Sequence, residues 1–312
     1  MDSLAYNDPD MLAMLDTEQR NPRTTEMDTL PTTDLLKLMN KEDYYVLQAI
    51  EDATEPIAQA VDSIAQRFKR GGRIIMAGAG ASGRIGVTEA AEMPPTFNLD
   101  PKCCVALMAG GDAAMLGALE HLEDNPDLAE GDLENLQLTK EDTVIGLSAS
   151  GRTPYVLQAL LHAKKINSEV LTIAITTNPG TIIAKTADIC IEALTGPEII
   201  TGSTRLKSTT AQKLILDMIT SAVMIKLGKV HGNLMVNLQP RNYKQQVRAI
   251  RIVVQASGCS SQEAESCLKE SKNELAPAIV MAMAQVDIST ALDALAKTEG
   301  IIGHAVRLLL SN

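Results

Sequence analysis

Between residues 73 and 194, short apolar runs alternate with stretches whose apolar positions recur every three to four residues. Ile74-Ile75-Met76-Ala77 opens the series, which continues at about 103–108, 143–148, 170–176 and 189–194. Runs this short, bounded by Gly, Ser or Pro, suit strands buried on both faces. Helical spacing fills the intervals at about 84–93, 112–124, 154–165 and 180–187, and the first of these helices is expected to stop at Pro94-Pro95. Alternation of strand and helix predicts an α/β fold, a parallel sheet with helices on both faces. Five strands in the order 2-1-3-4-5 make it flavodoxin-like, with a ligand at the switch between the first and third strands.

The flanks are helical. Val46, Leu47, Ile50, Ile57, Val61, Ile64 and Phe68 mark an amphipathic helix pair interrupted near Pro56, and Thr33 is placed to cap a helix through Leu35 and Leu38. A polar loop at 195–207 enters a long apolar helix at about 208–227, ending at Gly228. The pattern shifts between Pro240 and Asn242, and from Lys244 onward it is helical throughout. The expected organisation is an N-terminal arm and helix at 1–54, a central α/β domain at 55–240 and a helical appendage at 241–312.

Two loops carry the candidate chemistry. Gly78, Gly80, Ser82 and Gly83 follow the first strand, and Ser148, Ser150 and Gly151 follow the third. The tetrad Ala-Ser-Gly-Arg stands at 81–84 and again at 149–152, each time between strand and helix. Small residues let backbone N–H groups approach an anion, and a helix N-terminus adds a favourable field. Two such loops suit one compact phosphate and its sugar; taken singly, each also reads as an ordinary strand-to-helix turn. Gly78-x-Gly80-x-x-Gly83 matches the dinucleotide fingerprint as well. That fingerprint expects an acid at the tip of the next strand, where this chain has Ala109-Gly110-Gly111.

Composition narrows the classes. The 312 residues are 45% hydrophobic and 21% charged, with no Trp, two Phe and 14 Met, so aliphatic side chains must fill the core. A formal net charge of −11 disfavours nucleic acid or an anionic membrane as partner, leaving an anionic substrate to be captured by local donors. Cys103, Cys104, Cys190, Cys259 and Cys267 make an odd count and read as thiols of a reducing cytoplasm. No metal-ligand spacing is visible among Cys and His, so no metal and no cofactor are expected. The first ten residues are polar and acidic, without a signal-peptide pattern, and no apolar run is long enough to span a membrane.

Several motifs in order resemble the N-acetylmuramic acid 6-phosphate etherase family, bacterial cytoplasmic lyases of the sugar isomerase (SIS) fold. They are G-A-G-A-S-G-R with E-M-P-P-T-F, then S-A-S-G-R-T-P-Y, then T-G-S-T-R-L-K-S-T-T-A-Q-K, with T-E-Q-R-N-P before them and G-K-V-H-G-N-L-M-V after. The resemblance covers nearly the whole chain and makes 55–240 a SIS sugar-phosphate-binding domain. It implies cleavage of the lactyl ether of N-acetylmuramic acid 6-phosphate, giving N-acetylglucosamine 6-phosphate and D-lactate in the recycling of peptidoglycan amino sugars. It implies Glu92 as general acid and Glu123 as general base. The substrate and its phosphate fall to Gly80, Ser82, Gly83, Arg84, Ser148, Ser150, Arg152, Thr153, Ser203 and Lys207. A homodimer is implied, with the helices at 42–70 at its interface.

Without the family, Glu123 reads as a solvated helix acid, and Glu89, Glu120 and Asp124 are taken as ordinary acids. The chain departs from the family pattern at Ala81, where Thr is usual, and at Glu89, Met93 and Thr209, which bears on substrate identity. Two other readings share the fold: a non-catalytic sugar-phosphate regulator similar to the glucokinase regulatory protein, and a phosphosugar isomerase. Release of D-lactate separates the lyase from both.

Overall fold

The computed structural model describes residues 12–117, 119–238, 240 and 243–311; the first ten residues, read above for targeting, and Asn242 lie outside them. Five strands form one parallel sheet: β1 (Ile74–Gly78), β2 (Cys104–Met108), β3 (Thr143–Leu147), β4 (Leu171–Thr176) and β5 (Ile189–Glu192). Their spatial order is β2-β1-β3-β4-β5, the expected flavodoxin-like order. β1 pairs in register with both neighbours, Gly78 lying beside Met108 and Leu147, so the loops after β1 and β3 leave the same edge side by side. Every residue of β1, β3 and β4 is buried, which is why those segments read as largely apolar runs without polar alternation beyond a few threonines.

The helices correct several boundaries. α1 (Thr32–Asp52) and α2 (Thr54–Lys69) break at Ala53, not Pro56. Pro56 stands in the first turn of α2, where its missing N–H is no loss. Thr33 caps nothing, because α1 begins one residue earlier behind Pro31. α3 (Gly80–Phe97) starts within the glycine loop and continues through Pro94 and Pro95 instead of stopping there. Proline's φ already suits a helix, only two backbone N–H donors are given up, and Met93 and Phe97 bury one face of the final turns. The helix expected at 112–124 is α4 (Gly111–Leu116), followed by a single 3₁₀ turn at Glu120–Leu122. α5 (Asp127–Glu134) was not foreseen, and α6 (Pro154–Ile166), α7 (Ile182–Thr186) and α8 (Lys207–Lys226) fall close to their expected places.

The chain divides into two compact units. One holds the residues up to Ala91 together with Pro101–Thr220, and contains the sheet. The other comprises Glu92–Asp100 and Ser221–Asn312, so the expected appendage is part of a unit that begins earlier. Besides the last turns of α3 and α8 it contains, among the described residues, a short hairpin, β6 (Val230–His231) and β7 (Leu234–Met235), and the helices α9 (Tyr243–Ser257), α10 (Ser261–Glu270), α11 (Leu275–Ala284), α12 (Ile288–Lys297) and α13 (Ile302–Leu310). Its core is aliphatic, built from Val253, Ile279, Val280, Ala291 and Ala305 around the almost wholly apolar α11. Among the described residues, no single helix is long and apolar enough to cross a membrane.

Candidate functional site

The first loop is shaped by mutual contact of two glycines. A Cβ on Gly78 would lie 2.8 Å from the Gly83 Cα, and one on Gly83 would lie 2.9 Å from the Gly78 carbonyl oxygen. Only two glycines allow the strand end and the first helical turn to approach so closely. Ser82, 8% exposed, donates its hydroxyl proton to Gln212 Oε1 at 2.7 Å. Arg84 turns away from the loop toward α4: Nη2 donates to the carbonyls of Ala114 (2.8 Å) and Gly117 (2.9 Å), and Nε to that of Met115 (3.2 Å). The guanidinium thus closes the C-terminal end of α4, where a cation is favoured. A cavity of about 70 Å³ lies against this loop, lined by Gly80, Arg84, Met108, Ala109 and Glu123 among others.

The second loop is a knot of hydroxyls. Ser148 Oγ lies 2.8 Å from Thr153 Oγ1 and 3.4 Å from Ser150 Oγ, and accepts the Gly151 N–H at 3.0 Å. Ser150 Oγ accepts the Arg152 N–H at 3.3 Å. Gly151 has φ +68°, and a Cβ there would overlap the Thr181 side chain, so both backbone angle and space require glycine. The Ala149 carbonyl accepts from Thr176 Oγ1, Thr177 N, Thr177 Oγ1 and Asn178 Nδ2. This holds the loop down on the end of β4. The backbone of Glu123 reaches the same neighbourhood, its carbonyl accepting the Tyr155 N–H at 3.1 Å in the first turn of α6. Glu123 therefore stands between the cavity of the first loop and the helix that follows the second.

The polar loop before α8 is held by buried charge. Glu198 accepts the backbone N–H groups of Lys207 and Ser208, each at 2.9 Å, and the Ser208 hydroxyl at 2.7 Å, a carboxylate at a helix N-terminus. Lys207 is wholly buried, and its ammonium donates to Glu42 Oε2 (3.2 Å) and the Thr195 carbonyl (2.9 Å). Its charge serves this ion pair instead of facing a ligand. Glu42 also accepts from Asn21 and from both Nε and Nη2 of Arg23. Burial pushes the Glu42 carboxyl up, but the hydrogen bonds from Arg23, Asn21 and Lys207 outweigh it and hold the group at about 2. Ser203 lies in a turn, its N–H donating to the Ile200 carbonyl at 2.9 Å. The N-terminal arm crosses this region: Gly202 N–H donates to the Thr17 carbonyl, and Thr24 Oγ1 to that of Ile199.

The acids on α3 differ from expectation. Glu92 is exposed, whereas Glu89 is partly buried and accepts the Thr220 hydroxyl at 2.5 Å. Burial, with nearby Asp217, pushes the Glu89 carboxyl above its ordinary value. Asp124 is exposed but stands in a turn, because the helix expected at 112–124 ends at Leu116. Sequence reasoning missed Gln212, Asn178 and Glu42. The partner of Gln212 lies 130 residues away, and the most distant partners of Asn178 and Glu42 lie 161 and 165 residues away, beyond the reach of any local spacing.

Residues 56–164 match the family model of the glucokinase regulatory protein N-terminal SIS domain, and residues 115–222 match the SIS domain. The N-acetylmuramic acid 6-phosphate etherase of Photobacterium profundum is 45% identical over 295 residues, covering 95% of this chain and 97% of that protein. The enzyme of the same name from Vibrio campbellii is 47% identical, covering 95% of each chain. Among solved structures, a phosphoheptose isomerase from Francisella tularensis has a TM-score of 0.45 at 18% identity, covering 62% of this chain and 98% of that one. On this identity across nearly the full length of both chains, the protein belongs to the N-acetylmuramic acid 6-phosphate etherase family of carbon–oxygen lyases.

Proposed function

We propose that the protein cleaves the lactyl ether of N-acetylmuramic acid 6-phosphate and releases D-lactate and N-acetylglucosamine 6-phosphate. The observation that carries this reading is the placement of Glu123. Glu123 lines the cavity of the glycine loop, and its backbone carbonyl is bonded to the start of the helix after the serine loop. A base held there lies next to any sugar whose phosphate is gripped by Ser82 and Ser150. Ser148, Thr153, Gly80 and Gly83 complete the phosphate site through hydroxyls and backbone N–H groups. Arg84 and Lys207 act on structure, Arg84 by closing α4 and Lys207 by pairing with Glu42. Arg152 and Ser203 border the sugar.

In the open-chain sugar the hydrogen on carbon 2 is α to an aldehyde and therefore acidic. Glu123 removes it, the bond between carbon 3 and the ether oxygen breaks, and Glu92 gives its proton to the departing lactate. Water then adds its hydroxyl to carbon 3 and a proton to carbon 2, restoring a saturated sugar. The partner is this small phosphosugar; neither nucleic acid nor membrane takes part. A cytoplasmic setting agrees with five free thiols. A homodimer is supported by the outward apolar side chains of α1, Leu36, Tyr44 and Leu47.

Two variants test the assignment. Glu92→Gln should stop lactate release yet still exchange the carbon-2 hydrogen with deuterated solvent. Glu123→Gln should do neither, each losing at least the ~10²–10⁴-fold typical of general acid–base groups. If both variants release D-lactate at near-parental rates, the etherase reading fails. A reversed exchange pattern would swap the roles and leave the pair standing.

A further inference from the structure

Ser82 has one hydroxyl proton, and here it points at Gln212 Oε1, 2.7 Å away. A phosphate held by Ser82 needs that same proton. Gln212 is fully buried, and its Nε2 has no hydrogen-bond partner among the described residues. A buried amide nitrogen left in this state is uncommon and calls for a physical cause. The two atoms of the carboxamide lie side by side on one carbon, so the idle donor is next to the Ser82 hydroxyl.

We propose that Gln212 is a positioning residue of the phosphate site, acting through Ser82 as a reversible hydrogen-bond relay for a phosphate monoester. The proposal rests on Ser82 binding the substrate's phosphate. Glutamine can exchange acceptor for donor without moving its stem, by half a turn of the carboxamide. After that turn Nε2 donates to Ser82 Oγ, and the hydroxyl proton is released toward a phosphoryl oxygen. The Oε1 left behind is the more readily tolerated orphan of the two. A chain of N–H to O–H to anion polarises the middle hydroxyl and strengthens its hold on the phosphate. With no ligand, the same residue keeps that hydroxyl satisfied. A lone hydroxyl on a glycine loop would serve either state; the partner that can switch is what couples them.

The test uses the full chain, with N-acetylglucosamine 6-phosphate as titrant and N-acetylglucosamine as the phosphate-free control. Gln212→Met, close in shape but unable to hydrogen-bond, should weaken phosphosugar binding roughly 10- to 100-fold, the range for a bond serving a charged group. Gln212→Glu accepts only while ionised, so it should hold the Ser82 proton and bind more weakly still. Relative to the unsubstituted protein at each pH, its affinity should recover as pH falls from 8 to 5 and the carboxyl gains a proton. In a Ser82→Ala background Gln212→Met should cost nothing further. Additive losses there, or losses in the two Gln212 variants that are equal and independent of pH, overturn the relay and leave a packing role. If Ser82→Ala weakens binding but Gln212→Met does not, the relay fails and the phosphate reading stands. If Ser82→Ala binds at parental strength, both fall. Should Gln212→Glu not fold, Gln212→Met and the double variant decide the matter.

Discussion

Asn178 ties three separate parts of the chain together, so its removal has a magnitude that can be worked from geometry. It is fully buried; its Nδ2 donates to the Ala149 carbonyl at 2.9 Å and to Thr17 Oγ1 at 3.1 Å, and its Oδ1 accepts the Thr17 N–H at 3.3 Å. In Asn178→Ala the Ala149 carbonyl keeps three other donors and loses about 1 kcal/mol at most. The Thr17 N–H, on a fully buried residue, loses its acceptor and costs about 1–3 kcal/mol. The expected total is about 2–4 kcal/mol, at about 2–4 °C in melting temperature per kcal/mol for a domain of this size. Asn178→Asp should be worse, because it sets a carboxylate oxygen against the Ala149 carbonyl and buries an uncompensated charge. Urea unfolding gives the free energies, and limited proteolysis asks whether the arm around Thr17 is released, as the lost latch requires. A loss below about 0.5 kcal/mol with the arm still protected would refute the reasoning.

Two further outcomes follow from the charge and apolar patterns. Glu42, held at about 2 in the fold against 4.5 when unfolded, has a lowered pKa. Its stabilisation is present above 4.5 and lost as pH falls toward 2, amounting to about 3 kcal/mol at most. Acid unfolding of Glu42→Gln should be flatter across that window, and curves parallel to the parent would contradict the assignment. The second concerns assembly: sedimentation at about micromolar concentration should give a dimer or larger that Leu47→Asp weakens, because α1 turns Leu36, Tyr44 and Leu47 outward. A parental monomer would remove the claim.

What the sequence determined by itself was whatever depends on neighbours in the chain. Largely apolar runs announced β1, β3 and β4 because a strand covered on both faces needs no polar side. The repeated Ala-Ser-Gly-Arg tetrad announced two small-residue loops, and the alternation of elements yielded the strand order that puts them side by side. Tertiary structure decided which polar groups were taken up by partners within the protein. Arg84 and Lys207 look alike as cations beside hydroxyl loops, yet one meets the carbonyls closing α4 and the other a glutamate 165 residues away. A buried charge must take a partner wherever folding brings one, and nothing local names that partner. The same holds for Pro94 and Pro95, which read as a stop until the packing of Met93 and Phe97 outweighs the two lost donors. Gln212 is the extreme case: an unremarkable residue on an apolar helix, given a role only by the serine that the sheet topology sets against it.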